Sequence, residues 1–409
     1  MEVDPVNEEP TDADYETNDS LHGAEIPTSE AYVQVGNSVF GIEEYLGDEW
    51  SQQILKVHDP EQPLEPPSGM ATELWEWQKS LLPKMQVMGD SHRRGGIIGD
   101  EKGMGKTLAA IAYCQARHRG NARRLSTLVI TTNTGVADWV NQLVTHFTPD
   151  ARPHHLVLND PSLRPQSLLE GRYDFVLCSF DFLELQFVQL LEHLHRDHSE
   201  KELDMGTVKQ YLESNAKLGL TIEVLNCLYT KFWRVMDRPF DEVIVDEAHC
   251  VGQQHTLRHM AIDALHRDQT FLLMDGFPPD DWTFLCGHVN LLQDHVFNTY
   301  FKFMKHFASQ KEDGTFADYP SETKFNRLVK FLQAMVVARP RALPPSGSEE
   351  VPDGGKKRFM QSKADTKVRL SAFLPCYDDV QPIIPFQYPG GAGEHHKPTP
   401  AMKAYYKRK

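Results

Sequence analysis

Two short stretches hold residue types whose spacing can do chemistry. GDEKGMGKT (99–107) places three glycines, two lysines and a threonine at the end of a β-like run. EVIVDEAH (242–249) ends an apolar run in two adjacent carboxylates. In the first, backbone N–H groups around Gly103 and Gly105 can cradle phosphate oxygens, and the N-terminus of the helix that should follow adds partial positive charge. Lys106 would reach the β- and γ-phosphates, and the Thr107 hydroxyl would ligate Mg²⁺. The strict phosphate-loop spacing fails at one place, because its first position is Asp100 and the glycine, Gly99, stands one residue earlier. A glycine-rich turn with a chance lysine is the bland alternative. The strand–loop–helix setting argues against it.

In the second stretch the carboxylates fall at the C-terminal tip of a strand, the edge where open α/β sheets bind ligands. Asp246 would hold a hydrated Mg²⁺, and Glu247 would orient and deprotonate the attacking water. Alone, such a pair is more simply a helix cap. In a chain that also carries GKT it gains a partner. The intervening 140 residues leave room for several βα units.

Those units must position the two stretches. β-like runs occur at GGIIGD (95–100), LSTLVITT (125–132), HHLVLND (154–160), DFVLCSF (174–180), DEVIVDEAH (241–249) and TFLLMDG (270–276). Segments such as LAAIAYCQARH (108–118) and GVADWVNQLVTHF (135–147) have helical apolar spacing. Continuous apolar runs suit strands covered on both faces. The alternation predicts an α/β fold, a doubly wound parallel sheet with helices on both faces. Residues 187–236 read as a helical interruption, and 281–338 as helical up to Arg339-Pro340. Residues 340–366 read as a loop, followed by one more β-like run at 368–375.

The net charge of −16 is a property of one end. Residues 1–70 hold 17 Asp/Glu and one basic residue, Lys56, so residues 71–409 balance at 41 of each sign. The acidity therefore does not argue against a nucleic-acid partner for the body. Residues 1–30 lack the apolar content to offset chain entropy and read as disordered. Residues 31–56 are more apolar and read as a short docked element, and 57–70 as a Pro-rich linker. The expected division is an acidic, mostly disordered leader (1–70), a lobe (71–338) and a loop-rich extension (339–409). The leader is expected to solubilise or to bind a protein partner. No segment approaches the ~18 uncharged apolar residues of a membrane helix, and MEVDPVNEEP has no secretory character, so no membrane partner is expected. The six cysteines form no CxxC pair, which disfavours a disulfide framework or a cysteine zinc site.

The two motifs together resemble the superfamily-2 helicase-like ATPases, and more narrowly the Swi/Snf-type DNA-translocating ATPases. There Asp is the usual residue at the first loop position, and GDEKGMGKT departs from the family's loop only at Lys102 and Met104. ELWEWQKSLLPKM (73–85) resembles the adenine-reading segment, with Gln78 at the base edge and Trp77 as the preceding aromatic. LVITTNTGVADWVNQ (128–142) resembles the segment that grips a DNA strand. DFVLCSFDFL (174–183) resembles the next contact, and FLLMDGFPPDD (271–281) the segment coupling ATP to DNA. The resemblance implies ATP and Mg²⁺ as cofactors, double-stranded DNA or chromatin as partner, and a nuclear location. It also implies a role in chromatin remodelling or DNA repair.

Two departures stand out. The coupling segment usually reads Thr-Gly-Thr-Pro, and here it reads Asp275-Gly276-Phe277-Pro278. The family also uses two RecA-like lobes with ATP between them, and the resemblance implies that 71–338 is one of them, whereas 34 residues follow Pro375 without the motifs of a second lobe. Three readings stay open: an ATPase whose second lobe lies elsewhere, a non-hydrolysing nucleotide-dependent binding module, and an RNA-directed DEAH-type helicase. His255 and His259, four apart, could clasp a metal on a helix but read more simply as solvated. The basic run at 117–124 could meet phosphate but reads more simply as surface.

Overall fold

The apolar runs become strands, and the register of the sheet decides which loops share an edge. The computed structural model describes residues 32–339, apart from 36–37, 119–125, 198–203, 215–225, 239, 276, 294–295 and 298. In chain order the elements begin with a hairpin of β1 (Tyr32–Val35) and β2 (Ser38–Gly41), then α1 (Ile42–Glu44), α2 (Trp50–His58) and α3 (Glu76–Asp90). Next come β3 (Gly95–Ile98), α4 (Lys106–His118), β4 (Thr127–Thr131), α5 (Asn133–Thr145), β5 (His155–Val157), α6 (Pro165–Gly171), β6 (Phe175–Ser179) and α7 (Phe180–Asp197). They are followed by α8 (Met205–Glu213), α9 (Lys231–Val235), β7 (Phe240–Val245), α10 (Leu257–Asp263) and β8 (Arg267–Leu273). The last are α11 (Leu285–Leu291), α12 (Tyr300–Phe307), α13 (Glu322–Gln333) and β9 (Val336–Val337).

Seven strands form one sheet in the order β5-β6-β4-β7-β8-β3-β9, and every pairing is parallel. Successive side chains divide between its faces. Ile97, Leu128, Ile130, Val243 and Val245 join the core under α7 and α10–α13. Ile98, Val129, Ile244, Phe271 and Leu273 join the core under α3–α5. Each buried Leu or Ile contributes about 1.5–3 kcal/mol to folding, which explains the apolar runs Leu128–Ile130, Val243–Val245 and Phe271–Leu273 in the central strands. The sheet is thus doubly wound, as the alternation predicts. At Gly95 (φ +151°) an added Cβ would lie 1.8 Å from the Thr270 carbonyl oxygen, so the packing of β3 on β8 demands glycine there.

One finding differs from the sequence reading. β9 lies inside the stretch expected to be helical, and it completes the sheet edge beside β3. Two valines after α13 are too few to show a strand period. The element expected to dock at 31–56 packs onto the lobe. Ile42, Tyr45, Leu46 and Trp50 are buried, and α2 wedges between α3 and α13. The Trp50 ring meets Phe331 edge-on at 5.0 Å and carries the Arg93 guanidinium 4.2 Å above it. The helical interruption is present as α7–α9 between β6 and β7. Among the described residues no helix is long and apolar enough to cross a membrane. The β-like run at 368–375 lies outside them.

Candidate active site

The loops after β3, β4, β7 and β8 all leave the C-terminal edge, because the four strands are parallel and adjacent in the order β4-β7-β8-β3. Only β8 separates the strand before Lys106 from the strand before Asp246. At the usual spacing of about 4.8 Å between strands, the two tips lie roughly 10 Å apart. Lysine and carboxylates therefore lie along one edge of the sheet rather than at opposite ends of it.

The loop between β3 and α4 is stitched to its surroundings at each step. Gly99 N–H donates to the Val337 carbonyl (2.7 Å) and Glu101 N–H to the Arg339 carbonyl (3.1 Å). Met104 is buried, and its carbonyl accepts from the Trp77 indole N–H at 3.0 Å. Gly103 (φ +87°) and Gly105 (φ +78°) take left-handed conformations that favour glycine, and between them Met104 N–H donates to the Glu101 carbonyl at 3.3 Å. An added Cβ at Gly105 would meet the Gln78 amide at 2.2 Å. Lys106 then opens α4, a helix of 13 residues whose N-terminus carries partial positive charge. Thr107 follows it, half-buried.

Three of the expected site residues have their polar atoms turned within the chain. The Lys106 ammonium donates to the Asp100 carbonyl (2.7 Å), the Glu101 carbonyl (3.4 Å) and Asp275 Oδ1 (2.5 Å). The Asp100 carboxylate faces away from the loop cavity and pairs with Arg339; what the loop presents at that position is backbone. Gln78 is buried, its Nε2 donating to the Gly105 carbonyl (3.2 Å) and its Oε1 accepting from Trp75 N–H (2.9 Å). Gln78 therefore ties α3 to the loop, and reading a base with its amide requires exchanging the Gly105 bond.

The carboxylate pair is held with similar care. Asp246 N–H extends the ladder to the Ile130 carbonyl at 2.8 Å. Its Oδ2 accepts from the Trp139 indole N–H (2.8 Å) and the Thr131 hydroxyl (3.3 Å), and its Oδ1 from Glu247 N–H (3.0 Å). Glu247 is left-handed (φ 56°, ψ 39°), unusual for a non-glycine residue. The turn projects its carboxylate from the strand tip, where Oε2 lies 3.3 Å from His249 Nδ1. Beneath it His288 Nε2 meets the Ala248 carbonyl at 2.8 Å, and burial holds the His288 imidazole down at about 4.

These residues fit a nucleotide with its metal. Among the described residues no three His, Cys, Asp or Glu side chains converge on a metal site. One carboxylate and one hydroxyl are the sparse donor set that Mg²⁺ takes when phosphates and water complete its shell. On the same edge, Thr132 Oγ1 caps α5 by accepting from Gly135 N–H (3.0 Å), and exposed Asn133 donates to Asp181 Oδ2 at 2.6 Å. A cavity of about 370 Å³ lies elsewhere, between α2 and α3, and none of the expected site residues lines it.

Sequence reasoning missed Asp275 and Arg339 as partners of Lys106 and Asp100, and Trp139 as a partner of Asp246. It also misjudged His259, which is buried with its ring nitrogens on the Val251 carbonyl (2.7 Å) and Asn290 Oδ1 (2.9 Å). His255 is exposed and precedes the helix, so no clasp forms. Arg117 of the basic run pairs with Asp90 and the buried Glu242 rather than facing solvent phosphate.

The chain is 30% identical over 135 residues to an uncharacterised ATP-dependent helicase of Schizosaccharomyces pombe, a match covering 32% of this chain and 13% of that protein. It is 23% identical over 194 residues to the ATP-dependent helicase ULS1 of Saccharomyces cerevisiae, covering 46% and 11%. The chain thus spans only a small part of these relatives. Among solved structures, the Sulfolobus solfataricus SWI2/SNF2 ATPase core in complex with dsDNA is similar at TM-score 0.46 and 18% identity, covering 68% of this chain and 47% of that one. Residues 68–353, well over half of the sequence, match the SNF2-related domain, and the chain belongs to that family.

Proposed function

We propose that this lobe binds ATP with Mg²⁺ between the loop at 99–107 and the tip of β7, as the ATP-binding half of a DNA-dependent Swi/Snf-type ATPase. The observation that carries the reading is the shared edge. Lys106 and Asp246 follow strands separated only by β8, and Gly103 and Gly105 are left-handed, a conformation that supports a phosphate-cradling turn. Lys106 would neutralise phosphate charge, and backbone N–H groups at 103–106 would bind the oxygens. Thr107 and Asp246 would hold the metal, which when bound offsets charge on the phosphates. Glu247 would take the proton of the attacking water.

DNA is the proposed polymer. Thr132, Asn133 and Thr134 stand exposed at the N-terminus of the 13-residue α5, on the same edge as the nucleotide site. Hydroxyls, an amide and a helix N-terminus are the groups that grip a phosphate backbone without reading sequence. A nuclear role in chromatin remodelling or DNA repair follows from that partner. The second lobe, with the arginines that complete phosphoryl transfer, is proposed to come from outside residues 71–338.

The test is calorimetric titration of ATP with Mg²⁺ into the full chain, followed by turnover with and without double-stranded DNA. Binding at micromolar-class affinity, lost in Lys106→Ala, with negligible turnover by the chain alone is the expected result. Robust DNA-stimulated turnover would show that no second lobe is needed. Binding untouched by Lys106→Ala would remove the site. The second reading, a nucleotide-dependent binding module without hydrolysis, is favoured by Asp275 in the coupling segment. It requires that Glu247→Gln change neither binding nor any residual turnover.

A further inference from the structure

The Lys106 ammonium has three N–H donors and three acceptors around it. Two are backbone carbonyls, of Asp100 and Glu101, and the third is Asp275 Oδ1 at 2.5 Å. The lysine side chain is only 10% exposed, whereas Asp275 is 31% exposed. A phosphate oxygen arriving at Lys106 therefore finds every donor taken and must displace one acceptor. Of the three, Asp275 alone carries charge. It binds the ammonium most strongly, and it also repels the incoming anion.

Asp275 follows β8, the strand between the loop of Lys106 and the tip of β7 that carries Asp246. It stands where the resembling family has threonine, whose hydroxyl would leave the lysine charge uncompensated. Phe277 packs onto Gly99, where an added Cβ would come within 2.4 Å of the phenylalanine Cβ. This contact fixes the segment against the start of the phosphate loop. With Lys106 matched by Asp275, the carboxylates of Asp246 and Glu247 leave the edge net negative.

We propose that Asp275 is a specificity-determining residue that stands in for phosphate on Lys106 and excludes polyphosphate arriving without a divalent cation. This rests on the nucleotide reading of the same edge. Bare ATP brings charge that Lys106 cannot neutralise while Asp275 holds it. The magnesium complex brings two positive charges with it and meets carboxylates rather than being repelled by them. Asp275 thus makes the cation a condition of binding.

The experiment measures ATP affinity of the full chain by calorimetry, once with excess Mg²⁺ and once with EDTA. It compares wild type with Asp275→Asn, Asp275→Glu, Lys106→Met, and Asp275→Asn combined with Lys106→Met. Circular dichroism confirms that each variant is folded. The expected result is that Asp275→Asn binds metal-free ATP about tenfold more tightly than wild type, the scale of one partly screened charge contact. The gain with Mg²⁺ should be smaller. Asp275→Glu should restore the wild-type preference, and the gain should vanish when Lys106 is also methionine. Equal or weaker metal-free binding by Asp275→Asn overturns the proposal, as does a gain that persists without Lys106. If neither wild type nor Asp275→Asn binds ATP with Mg²⁺, the nucleotide reading has failed and the proposal falls with it.

Discussion

Arg339 closes on Asp100 in a two-pronged ion pair, with Nη2 2.6 Å from Oδ2 and Nε 3.1 Å from Oδ1. The pair is almost wholly buried, with side chains 6% and 2% exposed. Arg339 backbone N–H adds a third bond to Oδ1 at 2.9 Å. Its Nη1 reaches the Trp77 carbonyl (2.8 Å) and Ser80 Oγ (3.0 Å). Two residues beyond β9, Arg339 thereby ties the loop at 99–107 to α3, at the point where the chain leaves the sheet.

Removing one member of such a pair strands the other charge in a low-dielectric site. Arg339→Ala is therefore expected to destabilise the lobe by about 3 kcal/mol, at the lower end of the range for breaking a buried pair. Arg339→Lys should recover only a minority of that loss, because a point charge cannot bridge two oxygens and two further acceptors. Urea denaturation of the full chain measures both. A loss below 1 kcal/mol for Arg339→Ala would show that solvent reaches Asp100 and that the clamp does not hold the loop.

Trp139 offers a separable test of Asp246 as the proposed metal carboxylate. Its indole N–H fixes Asp246 Oδ2 at 2.8 Å, and the ring itself is buried. Trp139→Phe keeps most of the packing but removes the donor. A hydrogen bond to a charged group is worth about 1.5–3 kcal/mol, so a stability loss of that order is expected in denaturation. The same variant should need more Mg²⁺ for half-maximal nucleotide binding, since the carboxylate is no longer held in one rotamer. An unchanged Mg²⁺ requirement would place Asp246 outside the metal's shell.

Glu247 stores backbone strain at the strand tip. A left-handed non-glycine residue costs roughly 1–2 kcal/mol, while glycine gives some of this back through unfolded-chain entropy. Glu247→Gly is therefore expected to leave stability unchanged or raise it by up to about 1 kcal/mol, while removing whatever turnover the chain supports. A marked loss of stability would mean that the carboxylate, through His249 at 3.3 Å, does structural work instead.

How far the sequence reaches depends on how local each signal is. β3, β4, β6, β7 and β8 are each a single apolar run, so their place in a parallel sheet can be read without knowing a partner. Lys106 and Asp246 are legible for the same reason, since each sits a fixed distance beyond such a run. Asp275 and Arg339 are visible as letters, but their roles are pairings across 169 and 239 residues, and no local period encodes those. β9 is hidden because two residues cannot display alternation beside the strong helical pattern of α13. His259 was misread because the spacing to His255 assumes one continuous helix. The side chain of Thr256, which accepts from His259 N–H, starts α10 between them.

His288 ties the site to pH. Its Nε2 lies 2.8 Å from the Ala248 carbonyl in the turn that carries Glu247, and burial lowers its folded pKa to about 4 from the ordinary 6.5, with His259 and His249 nearby adding to the effect. The folded state thus binds fewer protons than the unfolded chain between those two values. Stability is fully present above pH 6.5 and is lost as the pH falls toward 4. From pH 7 to pH 5 this single group should remove about 2 kcal/mol. His266, also lowered to about 4 by burial, acts in the same window, so wild type alone does not separate the two. The difference between wild type and His288→Gln does, because the glutamine amide can still donate to Ala248 but does not titrate. Denaturation midpoints at pH 7 and pH 5 should converge between the two proteins as the pH falls. A constant gap would mean that His288 takes up a proton in the folded state as readily as in the unfolded one, and that the turn beneath Glu247 is open to water.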